Sequence, residues 1–169
     1  MDAETGVALG VMDEAARLAF RQAMGTFATG VALIAARDAA GAAHVITVNS
    51  FTSVSLEPPL ILWCLGDQSD RFALFSGAET FGVTVCAAGQ RTQALRFAGR
   101  AAPEAGDMIE RSGAPLVTGG LAHMACRTHA RIAMGDHMII VGRVVWLDAS
   151  MGDALTYFRG RFGAAPQEG

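Results

Sequence analysis

Short apolar segments of strand length recur along this chain with turn residues between them, and neither a βαβ alternation nor a Gly-x-Gly-x-x-Gly fingerprint accompanies them. Residues 31–35, 44–48, 60–65, 81–86, 121–126, 127–134 and 138–147 all read as strands. Parallel strands need helical crossovers, whereas antiparallel strands are joined by turns such as Asp38-Ala39-Ala40-Gly41 and Gly135-Asp136-His137. The expected fold is therefore mainly β with short helices, a mostly antiparallel barrel instead of a doubly wound sheet. Residues 60–65 are apolar on both faces, the mark of a strand covered twice.

Helical periodicity is confined to three places. Asp13 is placed to cap a helix whose apolar positions Ala16, Phe20, Ala23, Met24 and Phe27 repeat at three and four, ending between Gly25 and Gly30. Ser69 or Asp70 caps a second, short one that buries Phe72, Leu74 and Phe75 and stops at Gly77. A third runs from about Gln90 to Ala98. Residues 101–118, richer in Pro and Gly, are expected to wrap the surface. The chain divides into a flexible arm over 1–11, one domain over 12–163 and a tail over 164–169.

Composition narrows the function. With 169 residues, 51% hydrophobic and 17% charged, the chain can bury one proper core, and the apolar surplus suggests a homodimer interface. A net charge of −3 and no basic cluster argue against nucleic acid and against an anionic membrane as partners. No apolar run approaches the roughly 18 residues of a membrane span, and Asp2 and Glu4 precede any apolar segment, unlike a signal peptide, so a cytoplasmic location is expected. Cys64, Cys86 and Cys126 are odd in number, far apart and set among apolar neighbours, which fits reduced core thiols. His123-x-x-Cys126-x-x-His129 has a metal-like look, but on a strand a spacing of three alternates faces, and no metal is expected.

Between two strands lies Thr47-Val48-Asn49-Ser50-Phe51-Thr52-Ser53-Val54-Ser55-Leu56-Glu57-Pro58-Pro59, crowded with hydroxyls and one amide. Such a run is either a Ser/Thr-rich strand and turn or a polar-ligand site offering donors to a phosphate or a flavin edge. No Gly-x-Ser-x-Gly elbow and no paired carboxylates are present, so hydrolytic chemistry has no support. Binding a cofactor asks only for donors, apolar walls and a cation, and residues 47–55 and 66–71 offer these. Arg71 near a helix start suits either a phosphate or plain solvation. On spacing alone, Gly135-Asp136-His137 reads first as a turn.

Phe20-Arg21-Gln22-Ala23-Met24-Gly25-Thr26-Phe27-Ala28-Thr29-Gly30-Val31 followed by the 47–59 run resembles the flavin reductase-like family. Gln90 with Arg96-Phe97-Ala98-Gly99, Ser112-Gly113-Ala114-Pro115-Leu116, Gly135-Asp136-His137 with Val141-Gly142-Arg143-Val144, and Leu155-Thr156-Tyr157-Phe158-Arg159-Gly160 continue it over residues 14–162. The resemblance implies an FMN-binding split β-barrel, homodimeric, that passes hydride from NADH or NADPH to FMN or FAD and feeds a flavin-dependent monooxygenase. It implies that Thr47, Val48, Asn49 and Ser50 contact the flavin ring. Ser53 and Ser55 with Ser69 and Arg71 would hold the ribityl phosphate, with Cys64, Leu65 and Gly66 alongside. Arg96, Phe97 and Ala98 would border the same pocket, Asp136 and His137 would lie toward the nicotinamide, with His137 the catalytic candidate, and Tyr157 and Arg159 would close over the flavin, from the same chain or the partner.

The chain departs from the family by carrying Val45-Ile46 and Val48 around the second strand, and His123 and His129 match no family role. The alternatives are a non-catalytic flavin-binding protein and a flavin-dependent reductase of a corrinoid or ferric complex. FMN against FAD and NADH against NADPH stay open at this level.

Overall fold

The computed structural model describes residue 10 and residues 12–167, so the arm expected over 1–11 lies, apart from Gly10, outside the described residues. Helix α1 (Glu14–Met24) starts where the sequence predicts, with the Asp13 carboxylate accepting the Ala16 N–H at 2.8 Å. Strands β1 (Thr29–Gly30), β2 (Ala32–Arg37), β3 (Ala43–Val48), β4 (Thr52–Leu56) and β5 (Pro59–Gly66) lead to α2 (Phe72–Gly77). Then come β6 (Thr80–Val85), α3 (Arg91–Ala98), β7 (Met108–Arg111), β8 (Ala114–Val117), β9 (Ala122–Met134), β10 (His137–Ala149), β11 (Ala154–Phe158) and β12 (Arg161–Ala165).

Seven strands form one antiparallel sheet in the order β3-β2-β6-β9-β10-β5-β4. Its two edges, β3 and β4, are consecutive in the chain and joined only by residues 49–51. Laid flat, seven strands would hold those edges about 29 Å apart, at ~4.8 Å per neighbour. The link from Val48 to Thr52 reaches at most about 14 Å. The sheet therefore curls until its edges face each other, with Asn49, Ser50 and Phe51 across the opening. Ser50 Oγ accepts the Cys64 N–H at 3.0 Å and ties this seam to β5.

The curled sheet has a packed cluster inside it. Ala32, Ile34 and Ala36 from β2 meet Ile61, Trp63 and Leu65 from β5, with Phe75 from α2 and Phe81 from β6. Trp63 is fully buried and stands edge-on to Phe75 and Phe81 at 5.8 and 6.0 Å. The alternate residues of β2, Leu33 and Ala35, face outward into a second cluster built with Val45, Cys86, Ala94, Phe97, Val117 and Leu155. Each cluster holds one buried thiol, Cys126 inside and Cys86 outside, and burial pushes both up to about 12. Cys64 is half-buried, and all three cysteines are free.

Several expectations are corrected. β9 is one strand over Ala122–Met134 where two were expected within 121–134; its pairing with β10 shifts register twice, once past His129 of β9 and once past Val145 of β10. Residues 101–118 do not merely wrap the surface. They contain the β7–β8 hairpin, turned at Ser112 and Gly113 with positive φ, and all four β8 residues are buried. β8 comes so close to β6 that a Cβ on Gly82 would lie 1.9 Å from the Pro115 carbonyl oxygen, which is why a glycine is needed there. The second face of β5 is only partly covered, since Leu60, Leu62 and Cys64 are half-buried. The strands β11 and β12 were not expected, and β12 carries the domain past residue 163 into the segment read as a tail. α2 has no side-chain cap of its own; Ser69 Oγ instead accepts the Arg71 N–H at 3.3 Å. On β9, Cys126 joins the inner cluster while a ring nitrogen of His123 lies 3.0 Å from the Val117 carbonyl oxygen.

Candidate functional site

At the seam, β3, α3, β11 and β12 surround a cavity of about 720 Å³, within the range of a cofactor site. Its walls bring together Thr47, Val48 and Asn49 from the hydroxyl-rich run, Ala98 from α3 and Tyr157 from β11. The Thr47 hydroxyl donates to the Ala94 carbonyl at 2.7 Å, which seats α3 against β3. Tyr157 packs edge-on against Phe162 at 5.2 Å, and Val31, Val48 and Leu95 complete the apolar part. Asn49, Tyr157 and Gly160 are shared with a neighbouring cavity of about 910 Å³ that adds Ser50, Thr29 and Arg159. Ala98 is shared with a smaller one of about 350 Å³ lined by Ser69, Asp70, Arg71 and Arg100. The first two adjoin along the seam, and the smallest meets the first at Ala98.

The remaining expected residues divide. Arg71 is not an available cation: its guanidinium donates to the carbonyls of Val45, Phe97, at 3.3 Å, and Gly99, fastening β3 to the end of α3. Arg96 pairs with Asp107 and Glu104 and lies over the Phe97 ring at 4.6 Å, so it anchors the loop after α3 and does not border the groove. The Phe97 side chain is fully buried in the outer cluster, and Leu65 in the inner one, so neither presents its side chain to a ligand. Ser53 and Ser55 lie on the edge strand β4, paired with Ile61 and Leu60, outside the groove walls of one chain.

Asp136 and His137 form the exposed tip of the β9–β10 hairpin. His137 Nδ1 lies 2.7 Å from Asp136 Oδ1, and that hydrogen bond, with the charge of the protonated ring, holds the Asp136 carboxyl below the usual carboxylate range. Across the strand pair His137 faces Gly66, and a Cβ there would sit 3.5 Å from Nε2, an ordinary contact distance, so the ring lies directly beside this end of β5. Cys64 and Gly66 thus connect the seam, through Ser50, to the His137 tip.

Sequence reasoning missed Arg91, Leu95, Arg161 and Phe162, all on the groove wall. Arg91 lay in plain sight at the head of a predicted helix. Arg161 and Phe162 became visible only once β11 and β12 were paired as a hairpin, turned at Arg159 and Gly160 with φ of 46° and 76°.

A curled antiparallel sheet with a mixed, ligand-sized groove along its seam defines a small-molecule-binding β protein. The chain belongs to the flavin reductase-like family: residues 24–166 match the model described as flavin reductase like domain. It is 42% identical over 146 residues to FMN reductase (NADH) SmoA of Agrobacterium fabrum, covering 85% of this chain and 83% of that protein. The reductase component of 4-hydroxyphenylacetate 3-monooxygenase from Thermus thermophilus is 36% identical over 83% of this chain and 91% of its own length. Among solved structures, NADH:FAD oxidoreductase SgcE6 of Streptomyces globisporus C-1027, in complex with NAD and FAD fragments, matches with a TM-score of 0.81 at 34% identity, over 92% of this chain and 96% of that one.

Proposed function

We propose that this chain is an NAD(P)H-dependent flavin reductase that takes FMN or FAD, and that it supplies reduced flavin to a separate monooxygenase. The observation that carries the reading is the seam groove, where Thr47, Val48, Asn49, Ala98 and Tyr157 converge from separate elements on a cofactor-sized space. The residues fit the group: polar donors lie on one wall, apolar and aromatic side chains on the others. A bound flavin supplies the hydride-accepting ring. The chain's task is placement, which needs no general base and is the larger part of catalysis when two rings must stack at about 3 to 3.5 Å.

In this reading Asn49 and Ser50 offer donors to the flavin edge, Tyr157 and Phe162 form the aromatic wall, and Val31, Val48 and Leu95 exclude water. His137, oriented by Asp136, marks the face where the nicotinamide approaches. The curled sheet is the split barrel of the family, working as a homodimer. Support for the dimer is the apolar surface left open: Phe27 is 71% exposed, Leu56 95% and Leu147 65%, and α1 exposes Leu18, Phe20 and Met24. No helix among the described residues is long and apolar enough to cross a membrane. Reduced thiols support a cytoplasmic setting.

The test is NADH and NADPH consumption measured with FMN and FAD in turn. Turnover with at least one pair is expected, and none with any pair would sink the reading. His137→Ala should slow NADH oxidation roughly 10- to 100-fold while flavin affinity holds; an unchanged rate would remove His137 from the nicotinamide face.

A further inference from the structure

We propose that Arg21 and Arg159 bind a phosphate group of the nicotinamide dinucleotide, in the cavity between the end of α1 and the β11–β12 turn. The inference rests on the flavin reductase reading above and assigns a place to the second nucleotide that this reaction needs.

The cavity measures about 660 Å³ and is lined by Arg21, Gln22, Gly25 and Thr26 on one side and by Arg159 and Gly160 on the other. No carboxylate lines it, nor the 910 Å³ cavity with which it shares Arg21, Gly25, Arg159 and Gly160, although acidic residues outnumber basic ones by 16 to 13 in the whole chain. All 13 basic residues are arginines, and Arg37, Arg71, Arg96, Arg100 and Arg131 are held by carboxylates or main-chain carbonyls. Arg21 and Arg159 make no ion pair among the described residues, and the Arg159 guanidinium stands over the Phe158 ring at 5.4 Å. A space free of acids and lined by two unpaired guanidinium groups favours an anion, and guanidinium forks match phosphate oxygens two at a time.

The helix dipole favours a cation in the last turn of α1, which would account for Arg21 alone. It does not account for Arg159. That residue has φ of 46° in a turn with Gly160 at 76°, a left-handed backbone for which Gly, Asn or Asp is the ordinary choice. A bulky residue held in such a conformation points to a use for its side chain. The Arg159 N–H donates to the Gly25 carbonyl at 2.8 Å, so the turn is fastened to the end of α1 and the two guanidinium groups line one space. The carbonyls of Arg21, Ala23 and Met24 also accept main-chain N–H groups, so the negative end of the helix is largely spent on its own bonds.

Position identifies the ligand. Asn49 and Tyr157, given to the flavin ring, line both the 720 and the 910 Å³ cavities. Hydride transfer needs two nucleotides side by side at that point. The 720 Å³ cavity has guanidinium groups of its own in Arg91 and Arg161, which leaves the α1 side for the second nucleotide. α1 also leads from this side toward the His137 tip: the Asp136 carboxyl, lowered first by its hydrogen bond to His137, is lowered further by the charge of Arg17, one helical turn before Arg21. A dinucleotide with its nicotinamide at His137 and its phosphates at Arg21 and Arg159 lies along α1.

The test is calorimetric titration of NAD⁺ and NADP⁺ into the FMN-loaded protein, with FMN and riboflavin affinities taken from flavin fluorescence and KM from NADH and NADPH oxidation. Arg21→Gln combined with Arg159→Gln should raise the Kd for both oxidised dinucleotides and the KM for NADH roughly tenfold or more, with kcat and FMN affinity within about twofold, and Lys at both positions should restore part of the loss. That result gives the pair to the pyrophosphate; a loss confined to NADP⁺ and NADPH gives the same pair to the 2′-phosphate. Arg159→Gly, which suits the turn, should weaken NAD⁺ while the thermal midpoint holds or rises, and a lower midpoint would make the side chain a structural one and overturn the assignment. Arg143→Gln, exposed on β10, controls for net charge. Unchanged affinity for NAD⁺ and NADP⁺ in the double variant overturns the proposal. So does a loss of FMN affinity with riboflavin binding kept, since the arginines would then serve the flavin. Failure of the full chain to oxidise NADH or NADPH with any flavin would instead sink the parent reading, a result separable from the others.

Discussion

The two faces of β2 make the sharpest contrast in this molecule. On the inner face, Ala32, Ile34 and Ala36 pack against Trp63, Phe75 and Phe81, a cluster held between the curled sheet and α2. On the outer face, Leu33 and Ala35 pack against Ala94 and Phe97 of α3 and Leu155 of β11, and that cluster is open at its rim. The rim residues Tyr157 and Phe162 touch the outer cluster and also line the groove. The inner cluster reaches the groove only through Val48, with Phe51 on the neighbouring cavity, whereas the outer one reaches it through Val31, Tyr157 and Phe162 and carries α3, whose Arg91, Leu95 and Ala98 line it. Stability and binding should be separable on the first face and coupled on the second.

A matched pair of truncations sets the two faces against each other. Trp63→Ala and Phe97→Ala each remove a fully buried aromatic and should each cost about 3–5 kcal/mol in urea unfolding. Flavin affinity of the folded protein should survive the first within a few-fold. The second should weaken it tenfold or more, because α3 loses the anchor that presents Arg91, Leu95 and Ala98. Equal effects on flavin binding from both variants would break the distinction.

In excluding charge, by contrast, the faces should behave alike. Cys126 inside and Cys86 outside are both pushed up to about 12 by burial. A thiol whose folded pKa lies above its unfolded value of 9.0 stays protonated in the fold while the unfolded chain gives up its proton. Stability from this source is whole below pH 9 and is lost as pH rises toward 12, by up to about 1.4 kcal/mol per pH unit for each thiol. Unfolding midpoints measured from pH 8 to 11 should fall, and Cys86→Ala and Cys126→Ala should flatten the fall by similar amounts. Flattening by only one of them would show that water reaches the other thiol's face.

The contrast also explains what was legible in the sequence. The capped α1, the strands β2, β3, β5 and β6, and α3 were readable because their periodicity and turn residues are local. β8, β11 and β12 were not, since a four- or five-residue strand takes its identity from its partner: Ala114–Val117 is buried only because Gly82 admits it, and Arg161–Ala165 is a strand only because β11 lies beside it. The hydroxyl-rich run was recognisable as unusual, and Thr47, Val48, Asn49 and Ser50 do line the groove. The engagement of Arg71 with main-chain carbonyls left no local trace, because its partners lie 26 and 28 residues away along the chain. Spacing brought forward residues that line the groove but not which cations were already occupied.

The finest probe of the coupling is Thr47, which belongs to both the groove wall and the α3 anchor. Its hydroxyl donates to the Ala94 carbonyl at 2.7 Å, and Thr47→Val removes that donor while keeping the shape of the side chain. The loss should cost about 0.5–1.5 kcal/mol, the usual net worth of one hydrogen bond. Because the same helix carries Leu95 and Ala98 into the cavity, flavin affinity should drop two- to fivefold in parallel, with riboflavin and FMN affected alike since no phosphate contact is touched. Unfolding in urea and flavin titration on the same preparation check both. If stability falls and riboflavin affinity does not, α3 holds its place without this bond, and the coupling of the outer face to the site rests on Phe97 alone.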